Sequence, residues 1–114
     1  MKIERFEDII AWQKSKTLGV EVYRCFKLSK DFSFKDQVQR ATISISNNIA
    51  EGYERQSNKE FSKFLFIAKG SCAEVRSMLY IALDLKYLSK EDFGKLYELS
   101  HEISKILSGF IKTL

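Results

Sequence analysis

The chain has one histidine, His101, and it follows Glu98 by three residues. Glu-x-x-His is the unit from which helical bundles build di-iron centres, but such a site takes that unit from each of two helices and further carboxylates from the others. One copy is half of what the chemistry requires. At helical spacing Glu98 and His101 also fall opposite Phe93, Leu96, Ile103 and Leu107, so the pair faces solvent instead of a bundle interior. Ser71 has no base, because the histidine lies on the outer face of another element. Cys72 belongs to an apolar stripe without an activating charge. The sequence contains no glycine-rich phosphate loop and no clustered metal ligands. These residues predict a protein that is not an enzyme, with no catalytic residue, metal or cofactor. Cys25 and Cys72 are the two thiols, and both sit in apolar helical patterns without a near partner. They read as buried free thiols in a reducing compartment.

What remains is surface chemistry. Arg55, Lys59, Lys63 and Lys69 stand close in sequence, with Gln56 and Asn58 as neutral donors and Tyr53 as a stacking surface. Such a set suits phosphate and base contacts, or else forms a solvated face. The formal charge of +4 and the pI of about 9.1 favour phosphate over acidic partners. Lysines and arginines are nevertheless interspersed with acids, and no dense run of one sign occurs. Arg40 and Arg76 fit a structural role better, since Arg40 shares a stripe with Glu51 and Arg76 follows Glu74. That stripe, Arg40, Ser44, Asn47 and Glu51 with Asn48 beside it, recurs at helical intervals. It either hydrogen-bonds as a seam between helices or between subunits, or faces solvent.

Positioning these groups takes helices. Proline is absent and glycine is scarce, which removes the usual punctuation of sheets and long loops. Four amphipathic segments appear. The first, Phe6 to Phe26, aligns Ala11, Ser15, Leu18, Val22 and Phe26. The second, from about Phe34 to Tyr53, aligns Phe34, Val38, Ala41, Ile45 and Ile49, with Ser33 as its expected N-cap and Gly52 as its expected terminator. The third opens with a Ser57/Glu60 capping box and carries Phe61, Phe64, Leu65, Ala68, Cys72, Val75, Leu79 and Ala82 to about Lys86. The fourth opens at Ser89, with Glu91 and Asp92 in its first turn, and runs to the end. Short links favour an all-α, up-down-up-down antiparallel four-helix bundle, one domain over residues 1–114. At 45% hydrophobic and 30% charged residues the composition is that of a globular protein folding in water. The opening MKIERFEDII has no apolar run suited to a signal peptide, and no later run would span a bilayer, so a cytoplasmic protein without membrane contact is expected.

A bundle helix needs one apolar stripe, and the third has more. Ile67, Ile81 and Leu85 make a second line, and Phe66 and Tyr80 fall on a third side; Ile43 and Ala50 of the second helix also lie off its core face. Single surface hydrophobes are normal, but aligned ones predict a subunit interface and a closed homo-oligomer.

The segment QVQRATISISNNIAEGYERQSNKEFSKFLFIAKGSCAEV, Gln37 to Val75, resembles the signature of the four-helix bundle family called 23S rRNA intervening sequence proteins. The matching positions are Gln37, Arg40, Ala41, Ser44, Ile45, Asn48, Ile49, Ala50, Glu51, Gly52, Arg55, Ser57, Phe61, Leu65, Ala68, Gly70, Ser71 and Glu74. Trp12, Gln13 and Tyr23 of the first helix extend the match. Where the family has proline in the link before the second helix, this chain has Ser29, so the shape of that turn does not carry over. The resemblance implies a four-helix bundle assembling as a ring-like pentamer. It implies no catalytic residues. A related branch, the accessory variability determinant of diversity-generating retroelements, binds nucleic acid and a reverse transcriptase through a basic surface. The expected function is therefore binding of nucleic acid, RNA or DNA, with RNA preferred, by a basic patch repeated around a ring. The alternative is an adaptor for a protein such as a reverse transcriptase.

Overall fold

The computed structural model describes residues 2–114. A 3-10 turn, Phe6–Asp8, leads into α1 (Ile10–Cys25), α2 (Phe32–Tyr53), α3 (Asn58–Asp84) and α4 (Lys90–Lys112), with no strand among the described residues. Each helix packs on the next and α4 returns to α1, giving a four-helix bundle of 42 × 22 × 19 Å. The three- and four-residue apolar spacing decides which faces meet. Leu18 and Val22 of α1, Ile45 and Ile49 of α2, Leu65, Val75 and Leu79 of α3, and Ile103 and Leu107 of α4 are all fully buried together. No helix among the described residues is long and apolar enough to cross a membrane.

The helix ends show where local chemistry departs from periodicity. The expected helix from Phe6 is broken at Ile9, whose extended backbone lets its side chain enter the core at 2% exposure while Phe6 packs edge-on against Trp12 at 5.1 Å. Asp31, and not Ser33, caps α2: its Oδ1 accepts from the Phe34 amide at 3.1 Å, so the helix starts two residues earlier than expected. Ser29 shapes this link by accepting from the Asp31 amide at 3.3 Å. Ser57 and Ser89 cap α3 and α4 through the Glu60 and Asp92 amides, at 3.2 and 3.0 Å. The end of α3 is a Schellman motif with Lys86 in the left-handed region at φ 61; Tyr87 N–H donates to Ala82 O and Lys86 N–H to Leu83 O.

Gly52 does not terminate α2. It lies inside the helix, buried, and a Cβ placed on it would sit 2.6 Å from the Phe64 Cβ and 3.0 Å from the Phe61 ring. Its task is to let α2 and α3 approach closely. Because the Phe64 Cβ is fixed to its backbone, the clash has no flexible escape. Gly52→Ala should therefore destabilise the protein by about 1–3 kcal/mol in urea unfolding, even though alanine is the better helix former.

At one end of the bundle Asp31 also accepts from the Tyr87 hydroxyl at 2.7 Å, tying the α1–α2 link to the α3–α4 link beside the Phe26–Phe34–Tyr87 ring cluster. The Tyr87 hydroxyl first, and the Phe34 amide second, hold the Asp31 carboxyl below the usual carboxylate range. A carboxylate with a lowered folded pKa contributes stability that is present above its unfolded pKa, near 4, and is lost as pH falls through the folded value. The same bond raises Tyr87, so its contribution is present below about pH 10 and lost above. Asp31→Asn keeps a capping oxygen but no charge. Thermal melts should show it less stable than wild type at neutral pH, with the gap narrowing as pH drops below about 4.

Candidate nucleic-acid interface

The polar stripe of α2 divides in the structure. Ser44 and Ser71 bring their hydroxyls to 3.0 Å across the α2–α3 contact, and Asn48 Nδ2 donates to Ser44 Oγ at 2.9 Å and to Ser44 O at 2.7 Å. These three are partly or fully buried and make a seam within one chain. The other members leave it. Arg40 does not face Glu51; its Nε bonds Asp36 Oδ2 at 2.8 Å on an exposed surface. Asn47 is exposed beside Tyr23 and Ile43 in the α1–α2 groove. Glu51 turns outward to Arg55, Oε2 accepting from Nη2 at 2.6 Å. A charged partner one turn away outcompetes neutral neighbours for an arginine.

That pairing fixes Arg55. Its guanidinium lies 4.7 Å above the Phe64 ring, so the Gly52 contact that seats Phe64 also supports the arginine. Lys59 and Lys63 follow one turn apart on the exposed face of the first turns of α3, and neither forms an ion pair among the described residues. The helix N-terminus adds partial positive charge there. Arg55, Lys59 and Lys63 thus share one end of the molecule. Lys69 does not join them: ten residues from Lys59, it is turned roughly 80° around α3, toward α4, and is half-buried.

Tyr53 is less open than its place beside these charges suggests. It is half-buried, edge-on to Phe61 at 5.9 Å, with its hydroxyl 3.4 Å from Ile3 O. The exposed aromatic beside the lysines is Phe66, at 57% exposure, three residues after Lys63 and seven after Lys59. The second-line residues Ile67, Ile81 and Leu85 are each about half exposed on the single chain. They flank the α2-facing positions Phe64, Ser71 and Met78, which sets this ridge on the α2 side of α3.

Cys72 is buried, and burial pushes its thiol up to about 12; Cys25 lines a cleft between α1 and α4 and is also raised by burial. Ser71 spends its hydroxyl on Ser44. His101 and Glu98 are exposed, and the imidazole lies parallel to the Tyr97 ring at 6.3 Å.

The model of the 23S rRNA-intervening sequence proteins matches residues 7–109. The chain belongs to this family. A similar solved structure is a protein of unknown function of the S23 ribosomal protein family from Bacteroides thetaiotaomicron. It is 28% identical, with a TM-score of 0.85 over 90% of this chain and 99% of that one. Among curated proteins none matches the chain. The family match explains why the QVQRATISISNNIAEG segment is legible: Gly52, Ser44 and Asn48 within it hold α2 against α3, and Glu51 holds Arg55.

Proposed function

We propose that this family member is a cytoplasmic, non-enzymatic protein that binds nucleic acid, RNA first, through Arg55, Lys59 and Lys63, and does so as a homo-oligomer whose ring, pentameric by family resemblance, repeats the patch. The observation that carries the reading is the pair of lysines, without an ion pair among the described residues, beside the Phe64-supported arginine at the start of α3. An exposed ion pair such as Glu51–Arg55 is worth about 0–1 kcal/mol, so a phosphate can replace the carboxylate at little cost. A single copy with three such cations binds weakly; repetition around an axis neutralises several phosphates at once. An up-down-up-down antiparallel arrangement is supported by Phe61, near the start of α3, meeting Phe110, near the end of α4, at 5.4 Å, and by Tyr80, near the end of α3, meeting Phe93, near the start of α4, at 5.2 Å.

Replacing Arg55, Lys59 and Lys63 together by alanine should weaken RNA binding and flatten its salt dependence by about 0.7 in log K per log salt for each single-strand phosphate no longer neutralised. Binding and slope unchanged in that variant would remove the patch from the reading.

Self-association is supported by the ridge of Ile67, Ile81 and Leu85 on the α2 side of α3, which the single chain leaves half bare. The same ridge supports the adaptor reading, in which another protein, such as a reverse transcriptase, covers it. Light scattering separates the two: wild type should exceed the 13.3 kDa of one chain, and Ile67→Asp with Ile81→Asp should return it toward that mass. A monomeric wild type would leave the ridge to a different protein.

A further inference from the structure

On the opposite edge of α3 lies an aromatic surface whose inner rings, Phe93 and Tyr97, pack against the core while Tyr80 and His101 stay exposed. Tyr80 meets Phe93 at 5.2 Å and Tyr97 at 5.4 Å; Phe93 and Tyr97 stack at 5.5 Å, and His101 continues the stack from Tyr97 at 6.3 Å. Phe93, Tyr97 and His101 recur one helical turn apart on α4, so the rings form a ladder, with Tyr80 laid against it from α3. Tyr80 is 51% exposed and His101 is exposed.

Cations border this ladder. Lys69, Ala73, Arg76 and Tyr80 stand at i, i+4, i+7 and i+11 of α3, one stripe along the edge that meets α4. Neither Lys69 nor Arg76 has an ion-pair partner among the described residues. The Arg76 Nη1 is buried with no hydrogen-bond acceptor among the described residues, so any phosphate contact falls to the rest of this half-buried guanidinium. Of the neighbouring acids, Asp84 is exposed one turn beyond Tyr80 on the same stripe, and the others face elsewhere. Glu102 pairs with Lys14 of α1 at 3.3 Å, and Glu74 lies toward the α2 side of α3; Glu98 flanks His101 from the solvent side of α4, leaving the Lys69–Arg76 edge cationic.

We propose that this α3–α4 face is a stacking site for single-stranded nucleic acid: bases lie on the exposed rings of Tyr80 and His101, and Lys69 and Arg76 take the adjoining phosphates. The inference rests on the nucleic-acid reading above and adds to it the strand state and the base contacts. A duplex keeps its bases stacked on each other and offers no ring face to such a ladder, whereas a single strand does. Rings 5.5 and 6.3 Å apart are closer than the roughly 6.8 Å that an inserted base needs at a 3.4 Å rise. Bases therefore lie on the outer faces of the ladder and are not threaded through it. Such stacking tolerates any sequence, because every base has a ring face.

The test uses the full-length protein with a fluorescent oligouridine strand and, separately, a duplex of equal length. Wild type should bind the single strand more tightly. Tyr80→Ala should weaken single-strand binding about tenfold while leaving the melting temperature and the duplex affinity near wild type, and Tyr80→Phe, which keeps the ring, should bind as wild type does. Photocrosslinking of 5-iodouridine strands should attach to the peptide carrying Tyr80. Undiminished oligouridine binding by folded Tyr80→Ala, with binding abolished in the Arg55, Lys59 and Lys63 variant, would overturn this site and leave the wider reading standing. Wild-type protein that binds neither probe would overturn both. A drop in particle mass on Tyr80→Ala would assign the face to a second copy of the chain and overturn the stacking site.

Discussion

The close approach of α2 to α3 at Gly52 orients everything outside the core. With no side chain on one helix at the point where Phe64 presses from the other, the two backbones come within a distance that any Cβ would forbid. Phe64 is seated by that contact and in turn carries the Arg55 guanidinium on its ring. Along the same interface Ser44, Asn48 and Ser71 join hydroxyls and an amide. A steric key and a hydrogen-bonded seam together set the rotation of α3 about its own axis, which apolar packing alone leaves loosely determined. Once Phe64 and Ser71 must face α2, the spacing of the helix forces the Lys69–Arg76–Tyr80 stripe toward α4 and turns Lys59 and Lys63 outward.

The bundle is legible in the sequence because its information is periodic. Stripes such as Val38, Ala41, Ile45 and Ile49 repeat a preference many times, and one ambiguous position does not alter the sum. The caps of α3 and α4 are legible for a related reason: Ser57 and Ser89 stand directly before long periodic runs. The start of α2 is not, since Asp31 gains its advantage from Tyr87, more than fifty residues away, whose hydroxyl it accepts while capping the helix. Ser33 has only local evidence in its favour. Gly52 reads as a terminator because glycine near a helix end has two physical uses, a left-handed turn and close packing. Only the position of Phe64 separates them.

The basic patch is half legible for an electrostatic reason. Sequence spacing identifies every partner within reach of an arginine but not which one it takes. Arg40 has Asp36 and Ser44 at equal separation and takes the carboxylate; Arg55 has Glu51 and takes it. Lysines of α3 keep no such partners among the described residues. Lys59 and Lys63 follow the Ser57 cap, where the helix dipole already disfavours further positive charge. Two cations held there against one first-turn acid, Glu60, are a mild cost to the isolated helix, and an arriving polyanion relieves it. Tyr53 suggests itself as the stacking residue by its nearness in sequence to these charges, but its ring is committed to Phe61. The aromatic ladder of α4 is hidden in the sequence because Phe93 reads as core and His101 as surface, and only α3 laid alongside shows that Tyr97 and Tyr80 bridge the two.

The two edges of α3 place opposite demands on one helix, and their separation answers them. Self-association needs a dry, apolar strip whose burial is complete; nucleic-acid binding needs exposed rings beside cations that no acid of the described residues holds. Ile67 and Ile81, fourteen residues apart with the exposed Glu74 midway between them, line the α2 side, while Lys69 and Arg76 keep a similar register on the α4 side. Two residues of offset, Ile67 to Lys69, turn the helix by roughly 200°, which puts the two strips well apart on the cylinder. Between them the outward face carries Lys59, Lys63 and the exposed Phe66 in the first turns, and only the small residues Gly70 and Ser77 further along. In the proposed assembly, closing the ridge against a neighbouring copy would therefore leave the Tyr80 edge uncovered. Each added copy would bring another ladder and another pair of unpaired cations within reach of one strand, so affinity would grow with copy number while the grip of any single copy stayed weak.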